Sequence, residues 1–183
     1  QMWLVENRGA ALAARRRSLA GPVGCGLCGI DSIEAAVRSL PSLSGMGPTL
    51  SVQEIAAATD SLRGWQPLHD RTRAVHAAGF LLPGQGVVLA REDVGRHNAL
   101  DKLAGALAAS GTDPGQGAIV MSSRLSVDLV QKAARIGAPV LIGASAPTGL
   151  ALQWADRAGL TLIARARGDS FDLYTHPHRI AGP

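Results

Sequence analysis

From residue 86 onward the sequence repeats one order of events three times: a short apolar run, a polar turn, then a stretch with helical spacing. The apolar runs at 87–90, 118–121 and 140–143 read as buried strands. Turns are expected at 91–95, 122–124 and 144–147, helices at 97–109, 126–136 and 148–158, and one more strand at 160–164. Short strands that are apolar throughout, alternating with helices, indicate βαβ units, because parallel strands need a long crossover and are covered on both faces. The pattern predicts an α/β protein with a mostly parallel, doubly covered sheet.

The pattern also says where to look for function. Beyond the carboxyl ends of such strands, helix N-termini present unpaired N–H groups and a partial positive charge, so ligands bind there. All three turns are expected on that one rim. The first carries Asp93, Gly95, Arg96, His97 and Asn98, with Lys102 one turn into its helix. The second carries Ser122, Ser123 and Arg124, with Lys132 further along, and the third carries Ser145 and Thr148. These donors and positive charges suit an anion such as a pyrophosphate. For Asp101 and Lys102 a local surface pair is an equal reading. Lys132 in mid-helix and Arg167 after the last strand read first as surface residues, and His76 as a satisfied structural histidine.

Upstream, Ser51 is placed to cap a helix through residue 62, and Asp31 or Ser32 to cap one through residue 40, with a loop at 41–48. At 183 residues and 46% hydrophobic composition, the chain can bury one sizeable core. The division expected is an N-terminal segment with a cysteine loop, residues 1–30, and an α/β domain, residues 31–183. No run approaches the roughly 18 to 20 apolar residues a membrane helix needs, and no secretory signal is recognisable, so the cytoplasm is the expected compartment and no membrane partner is expected. The net charge of +4, from 18 basic and 14 acidic residues, suits phosphorylated small molecules better than a nucleic-acid polyanion. Aromatics at 3% leave little for base stacking, so nucleic acid is not an expected partner. Arginine supplies nearly all the positive charge, and a guanidinium fork binds phosphate bidentately where an ammonium cannot. The chain begins at Gln1 without an initiator methionine, which suggests a fragment or a chain lacking its start.

Cys25 and Cys28 are the only cysteines, separated by two residues in a loop with three glycines in seven positions. This spacing serves three chemistries. A thiol–disulfide oxidoreductase uses a thiolate of lowered pKa, usually at a helix start after a strand. A structural zinc site needs four ligands, so histidines would have to supplement the two thiols. A sulfur carrier needs one exposed thiolate to accept sulfane sulfur as a persulfide and a second thiol to release it. Two incidental small residues are the fourth reading.

The segment Glu92-Asp93-Val94-Gly95-Arg96-His97-Asn98-Ala99-Leu100-Asp101-Lys102 resembles the most distinctive motif of the formate dehydrogenase accessory protein family, FdhD. Cys25-Gly26-Leu27-Cys28-Gly29 resembles that family's cysteine loop, and Ser123-Arg124, Val130-Gln131-Lys132-Ala133-Ala134 and Ser145-Ala146-Pro147-Thr148 resemble its later blocks. Arg167-Gly168-Asp169 and Tyr174-Thr175 resemble its closing segment. The match is colinear over nearly the whole chain. Two departures stand out: Thr72 is followed by Arg73-Ala74 where the family usually shows a glycine pair, and most of a β-rich upstream region is missing.

The resemblance implies a three-layer α/β/α fold like that of cytidine deaminases, without their zinc chemistry, because the His-x-Glu and Pro-Cys-x-x-Cys signatures are absent and no metal is expected. It implies a sulfurtransferase acting through a cysteine persulfide. A cysteine desulfurase would load Cys25 and Cys28, and the sulfur would pass to the bis-molybdopterin guanine dinucleotide cofactor before formate dehydrogenase receives it. GDP would mimic part of that cofactor. The binding set carried over by position is His76, Asp93, Gly95, Arg96, His97, Asn98, Lys102, Ser122, Ser123, Arg124, Lys132, Ser145 and Thr148, in a homodimer. A non-catalytic cofactor chaperone is the alternative, and a generic thiol–disulfide oxidoreductase a third reading.

Overall fold

A computed structural model describes residues 40–181; Cys25, Cys28 and the helix expected before residue 40 lie outside the described residues. The chain from Leu40 onward forms one six-stranded sheet in the order β2-β1-β3-β4-β5-β6. The strands are β1 (His76–Leu82), β2 (Gly86–Asp93), β3 (Ala118–Met121), β4 (Val140–Gly143), β5 (Thr161–Arg167) and β6 (Ser170–Thr175). The helices are α1 (Val52–Arg63), α2 (Pro67–Thr72), α3 (Arg96–Ser110), α4 (Val127–Ile136) and α5 (Gly149–Ala158).

Strands β3, β4 and β5 pair in parallel, whereas β1 runs antiparallel to both β2 and β3, and β6 antiparallel to β5. Four strands, β2 to β5, therefore point the same way. The three strand–turn–helix units stand where the sequence pattern puts them, with one difference in connection. The link β2–α3–β3 does not join neighbours, because β1 is inserted between them. Strand β1 (HAAGFLL) carries an Ala-Ala-Gly run of low strand propensity, and it is a strand because both of its edges are paired.

The period-two alternation of the strands feeds two cores. Ala78, Phe80, Ile119, Met121, Leu141 and Leu162 face one side and pack with Leu100, Leu103 and Leu107 of α3, Leu129 and Val130 of α4, and Ala151 and Ala155 of α5. Ala77, Leu81, Val120, Ile142 and Ile163 face the other and pack with Ile55, Ala58 and Leu62 of α1. Three helices on one face and α1 on the other make the three layers of an α/β/α sandwich. Phe80 has no exposed surface, so truncation to Ala would cost about 3–5 kcal/mol. Gly79 lets α1 approach β1 closely: a Cβ there would lie 2.7 Å from Leu62 Cδ1.

Local chemistry fixes the helix starts. Ser51 caps α1 in a capping box, its Oγ accepting from Glu54 N at 3.2 Å while Glu54 Oε2 accepts from Ser51 N at 2.8 Å. Thr148 caps α5 through Ala151 N at 3.2 Å. Residues 43–46 are held by Arg179, a buried guanidinium that donates to Leu43 O at 2.6 Å, Met46 O at 2.6 Å and Thr161 Oγ1 at 2.8 Å. Burial lowers the Arg179 pKa, and three neutral acceptors take one donor from each of its nitrogens without a carboxylate. Among the described residues no helix is long and apolar enough to cross a membrane.

Candidate functional site

The carboxyl ends of β2 to β5 and the start of β1 share one edge of the sheet. At that edge, on the side of α1, lies a cleft of about 650 Å³. Its first wall is the end of α1, with Thr59, Asp60 and Arg63. Thr59 lies one turn beyond the buried Ile55, at the border of the buried face, and its Oγ1 donates to Ala166 O at 2.7 Å, which docks α1 on the end of β5. The second wall is Gln66, His69 and the segment Arg73-Ala74-Val75, and the floor is His76, Ser122, Ala144 and Arg167 from the strand ends.

The second wall is held by β2. Helix α2 starts at Pro67 with no side-chain cap from its own chain end, and the carboxylate of Glu92 takes its place, accepting from Leu68 N and His69 N at 2.8 Å each. An Arg63–Asp70 ion pair joins α1 to α2, and it lowers the pKa of the exposed Asp70. Arg73 ends α2 in the left-handed region, at φ 53°. A residue with a side chain pays about 1 kcal/mol there, and glycine does not. The position where the resemblance leads one to expect a glycine is thus one that needs a positive φ, and here it is an arginine that lines the cleft.

Three arginines, Arg63, Arg73 and Arg167, and two histidines, His69 and His76, therefore surround the cleft, against one carboxylate, Asp60. His76 is half-buried, and its pKa is held below 6.5 first by burial and then by the positive charges of Arg96 and His69. Its ring favours the neutral form, and an anion beside it would reverse that balance.

Across the sheet the first turn is satisfied internally. Asp93 Oδ1 accepts from Gly95 N at 3.0 Å and from Asn98 Nδ2 at 3.1 Å, while Lys102 pairs with Asp93 Oδ2 at 2.5 Å and donates to Glu92 O at 3.1 Å. Lys102, then the Gly95 N–H, then Asn98 lower the Asp93 pKa to about 2. Lys132 forms an ion pair with Asp101. His97 is half-buried with Nε2 3.5 Å from Ser126 Oγ, and burial, then Arg96, holds its pKa below 6.5.

In the second turn, Ser122 Oγ accepts from Ala77 N at 2.8 Å and Ser122 N donates to Ala77 O at 3.0 Å, bracing β3 against β1 on the cleft floor. Ser123 is buried, with its hydroxyl donating to Arg124 O at 3.1 Å, and Arg124 is exposed. The second and third turns are zipped together by Leu125 N to Ala146 O at 3.3 Å and Thr148 N to Leu125 O at 2.9 Å, with Ser145 half-buried beside them.

Of the residues named from the sequence, His76 and Ser122 line the cleft, and Arg96 lies near enough to bias the ionisation of His76 as well as His97. Asp93, Asn98, Lys102 and Lys132 contact one another or Asp101. Sequence reasoning missed Thr59, Asp60, Arg63, Gln66, His69 and Arg73, and set Arg167 aside as a surface residue. The signal present was the density of cations from Arg63 to His76 in a stretch with no strand or helix reading of its own.

The comparisons with known proteins agree along the chain. The FdhD/NarQ family profile matches residues 1–181. Relatives named sulfur carrier protein FdhD include one from Agrobacterium fabrum, 53% identical over 98% of this chain and 66% of its own length. Others are from Brucella abortus, 52% identical over 98% of this chain and 67% of its own, and from Bordetella bronchiseptica, 48% identical over 93% and 61%. A crystal structure described as a formate dehydrogenase accessory protein from Desulfotalea psychrophila superposes with a TM-score of 0.68 at 31% identity, covering 80% of this chain and 60% of that one. The chain thus spans about two thirds of the length of the curated relatives it matches. With the fold shared at 31% identity and the family profile matched from end to end, the chain belongs to the FdhD/NarQ family.

Proposed function

We propose that this chain is a sulfur carrier that moves sulfane sulfur from a cysteine desulfurase to the molybdenum bis-molybdopterin guanine dinucleotide cofactor destined for formate dehydrogenase. The observation that carries the reading is the arginine-lined cleft at the strand-end rim: Arg63, Arg73 and Arg167 converge there with His69 and His76. Guanidinium groups suit the pyrophosphate of such a substrate by bidentate, charge-assisted hydrogen bonds. A cleft of about 650 Å³ also exceeds what a phosphate group alone fills. The cofactor is cargo here, and this chain's part is to bind and orient it. Half-buried His76 adds a donor whose proton affinity rises when an anion is bound.

Cys25 and Cys28 supply the sulfur chemistry in this reading. One thiolate attacks the outer sulfur of the desulfurase persulfide, the S–S bond there breaks, and the desulfurase leaves as a thiolate while the carrier becomes Cys–S–SH. On delivery the second cysteine attacks the inner sulfur, the Cys25–Cys28 disulfide forms, and sulfide leaves for the cofactor with two electrons supplied by the thiol pair. A cellular thiol reductant resets the disulfide. The same reading places the protein in the cytoplasm as a homodimer. The names of the relatives support it, since they are called sulfur carriers.

Mass spectrometry after incubation with a cysteine desulfurase and cysteine is expected to show one added sulfur on Cys25 or Cys28. In cells lacking the endogenous protein, this chain should restore formate dehydrogenase activity, and the Cys25→Ala/Cys28→Ala double variant should not. Equal rescue by that variant would favour a cofactor chaperone that transfers nothing.

A further inference from the structure

We infer that the corner beside the cleft mouth is the docking surface for the enzyme that receives the cofactor, a partner that offers an apolar pocket with an acidic rim. This rests on the cleft holding cargo for delivery, and it adds where the recipient sits. The corner is built from the turn between α1 and α2 and from the end of β2. Three large apolar side chains stay in water there: Val94 is 75% exposed, Trp65 46% and Leu68 39%. Apolar residues scattered singly on a surface need no account, but these three are tied together. Trp65 stands three residues before Leu68, Leu68 N donates to the Glu92 carboxylate at 2.8 Å, and Val94 follows Glu92 by two residues. The exposure of the indole has a local cause. Trp65 precedes the N-cap of α2, where an apolar residue commonly packs against the fourth helical position. That position is Asp70, whose carboxylate pairs with Arg63, so Trp65 finds no apolar partner on its own helix.

Two observations identify the occupant, and the first is continuity with the cleft. Gln66, His69 and Arg73 recur at helical spacing and line the cleft, while Trp65 and Leu68 stand one position earlier on the same turns. A protein seated on Trp65 and Leu68 therefore borders the opening through which cargo leaves. The recipient of the cofactor has to sit there, whereas a sulfur donor has only to reach the thiols. The second observation is charge. The carboxylates of α2 and of the end of β2 are all engaged: Asp70 by Arg63, Glu92 by the start of α2, and Asp93 by Lys102. Arg71 and Arg73, both exposed, form no ion pair among the described residues. An apolar centre with a Trp, flanked by open guanidinium groups, has the composition of an interface core. Its complement is an apolar pocket surrounded by carboxylates.

The test uses the full chain and a formate dehydrogenase produced without its molybdenum cofactor, with affinity read by biolayer interferometry. Wild-type protein is expected to bind, and to bind more weakly as salt rises. Trp65→Ala/Leu68→Ala should weaken binding at least about thirtyfold, as loss of a central Trp anchor does. Pyrophosphate binding in the cleft and sulfur loading of Cys25 or Cys28 should stay as in the wild type, which excludes misfolding as the cause. Val94→Asp and Val94→Lys remove the same methyl groups, so their order reads the charge of the partner. The Asp variant should bind at least about threefold more weakly than the Lys variant. Unchanged affinity of the double variant, the reverse order of the Val94 pair, or no binding by the wild type would overturn the inference. So would a double variant that loses only binding to phosphatidylglycerol vesicles, or only self-association, and still binds the enzyme. The two readings fail separately. If the enzyme docks through Trp65 while Cys25 and Cys28 accept no sulfur, the surface stands and the carrier reading falls. If sulfur is loaded and Trp65→Ala/Leu68→Ala restores formate dehydrogenase activity as well as the wild type does, the carrier reading stands and the surface falls.

Discussion

The two sides of the strand-end rim carry similar numbers of charges and use them in opposite ways. On the α3 side, Asp93, Asn98 and Lys102 close on one another, and Lys132 closes on Asp101. On the α1 side, Arg73 and Arg167 line an open cleft together with His69, His76 and the exposed Asp60. The charges of the densest motif are thus largely engaged with one another in this structure. Glu92 shows how the two are linked: its carboxylate reaches out of the motif to hold the start of α2, and so fixes the wall that carries His69 and Arg73.

The sharpest way to break this contrast is to remove cations from each side in turn. Arg73→Ala/Arg167→Ala should weaken GDP or pyrophosphate binding about a hundredfold or more, since each charge-assisted hydrogen bond contributes about 1.5–3 kcal/mol. Lys102→Met/Lys132→Met should change it by no more than about threefold. Equal losses from both pairs, measured by calorimetry, would erase the distinction.

Ser122→Ala probes the floor shared by the two sides. It leaves Ala77 N–H without its 2.8 Å acceptor, which should cost about 1–2 kcal/mol in urea unfolding. Asp93→Ala should lower the melting temperature at pH 7, and the sign of its pH dependence identifies the cause. The folded Asp93 pKa is about 2 against 3.8 without the fold, so its contribution is present above pH 4 and is lost as pH falls toward 2. The difference between wild type and variant should fade over that window, and a difference that persists at pH 2 would mean packing is responsible.

The smallest effect separates the two histidines. Both have pKa values held below 6.5, so both oppose folding as pH falls through 6.5 and neither does so above it. In NMR titrations GDP should raise the pKa of His76, which lines the cleft, and leave that of His97 unchanged. An equal rise at both would place the anion between the two sides.

Most strand and helix units of the sheet are legible in the sequence because each is encoded locally. Runs such as Ala118–Met121 and Val140–Gly143 are apolar throughout, and the helices beside them carry their own caps or end on glycine. Strand β6 and the inserted strand β1 were not legible. His76–Leu82 has no strand signal of its own, and its pairing with both β2 and β3 is supplied by residues distant in sequence.

The site divides along the same line. The sequence by itself determined the α/β order, the rim on which a ligand should sit, and two thiols at a spacing that a sulfur carrier shares with other chemistries. Only the tertiary structure decided which charges on that rim remain available. A side chain's partner depends on what the fold brings opposite it: Lys132 meets Asp101 from another helix, whereas Arg73, held at positive φ by a turn that Glu92 anchors, meets the cleft.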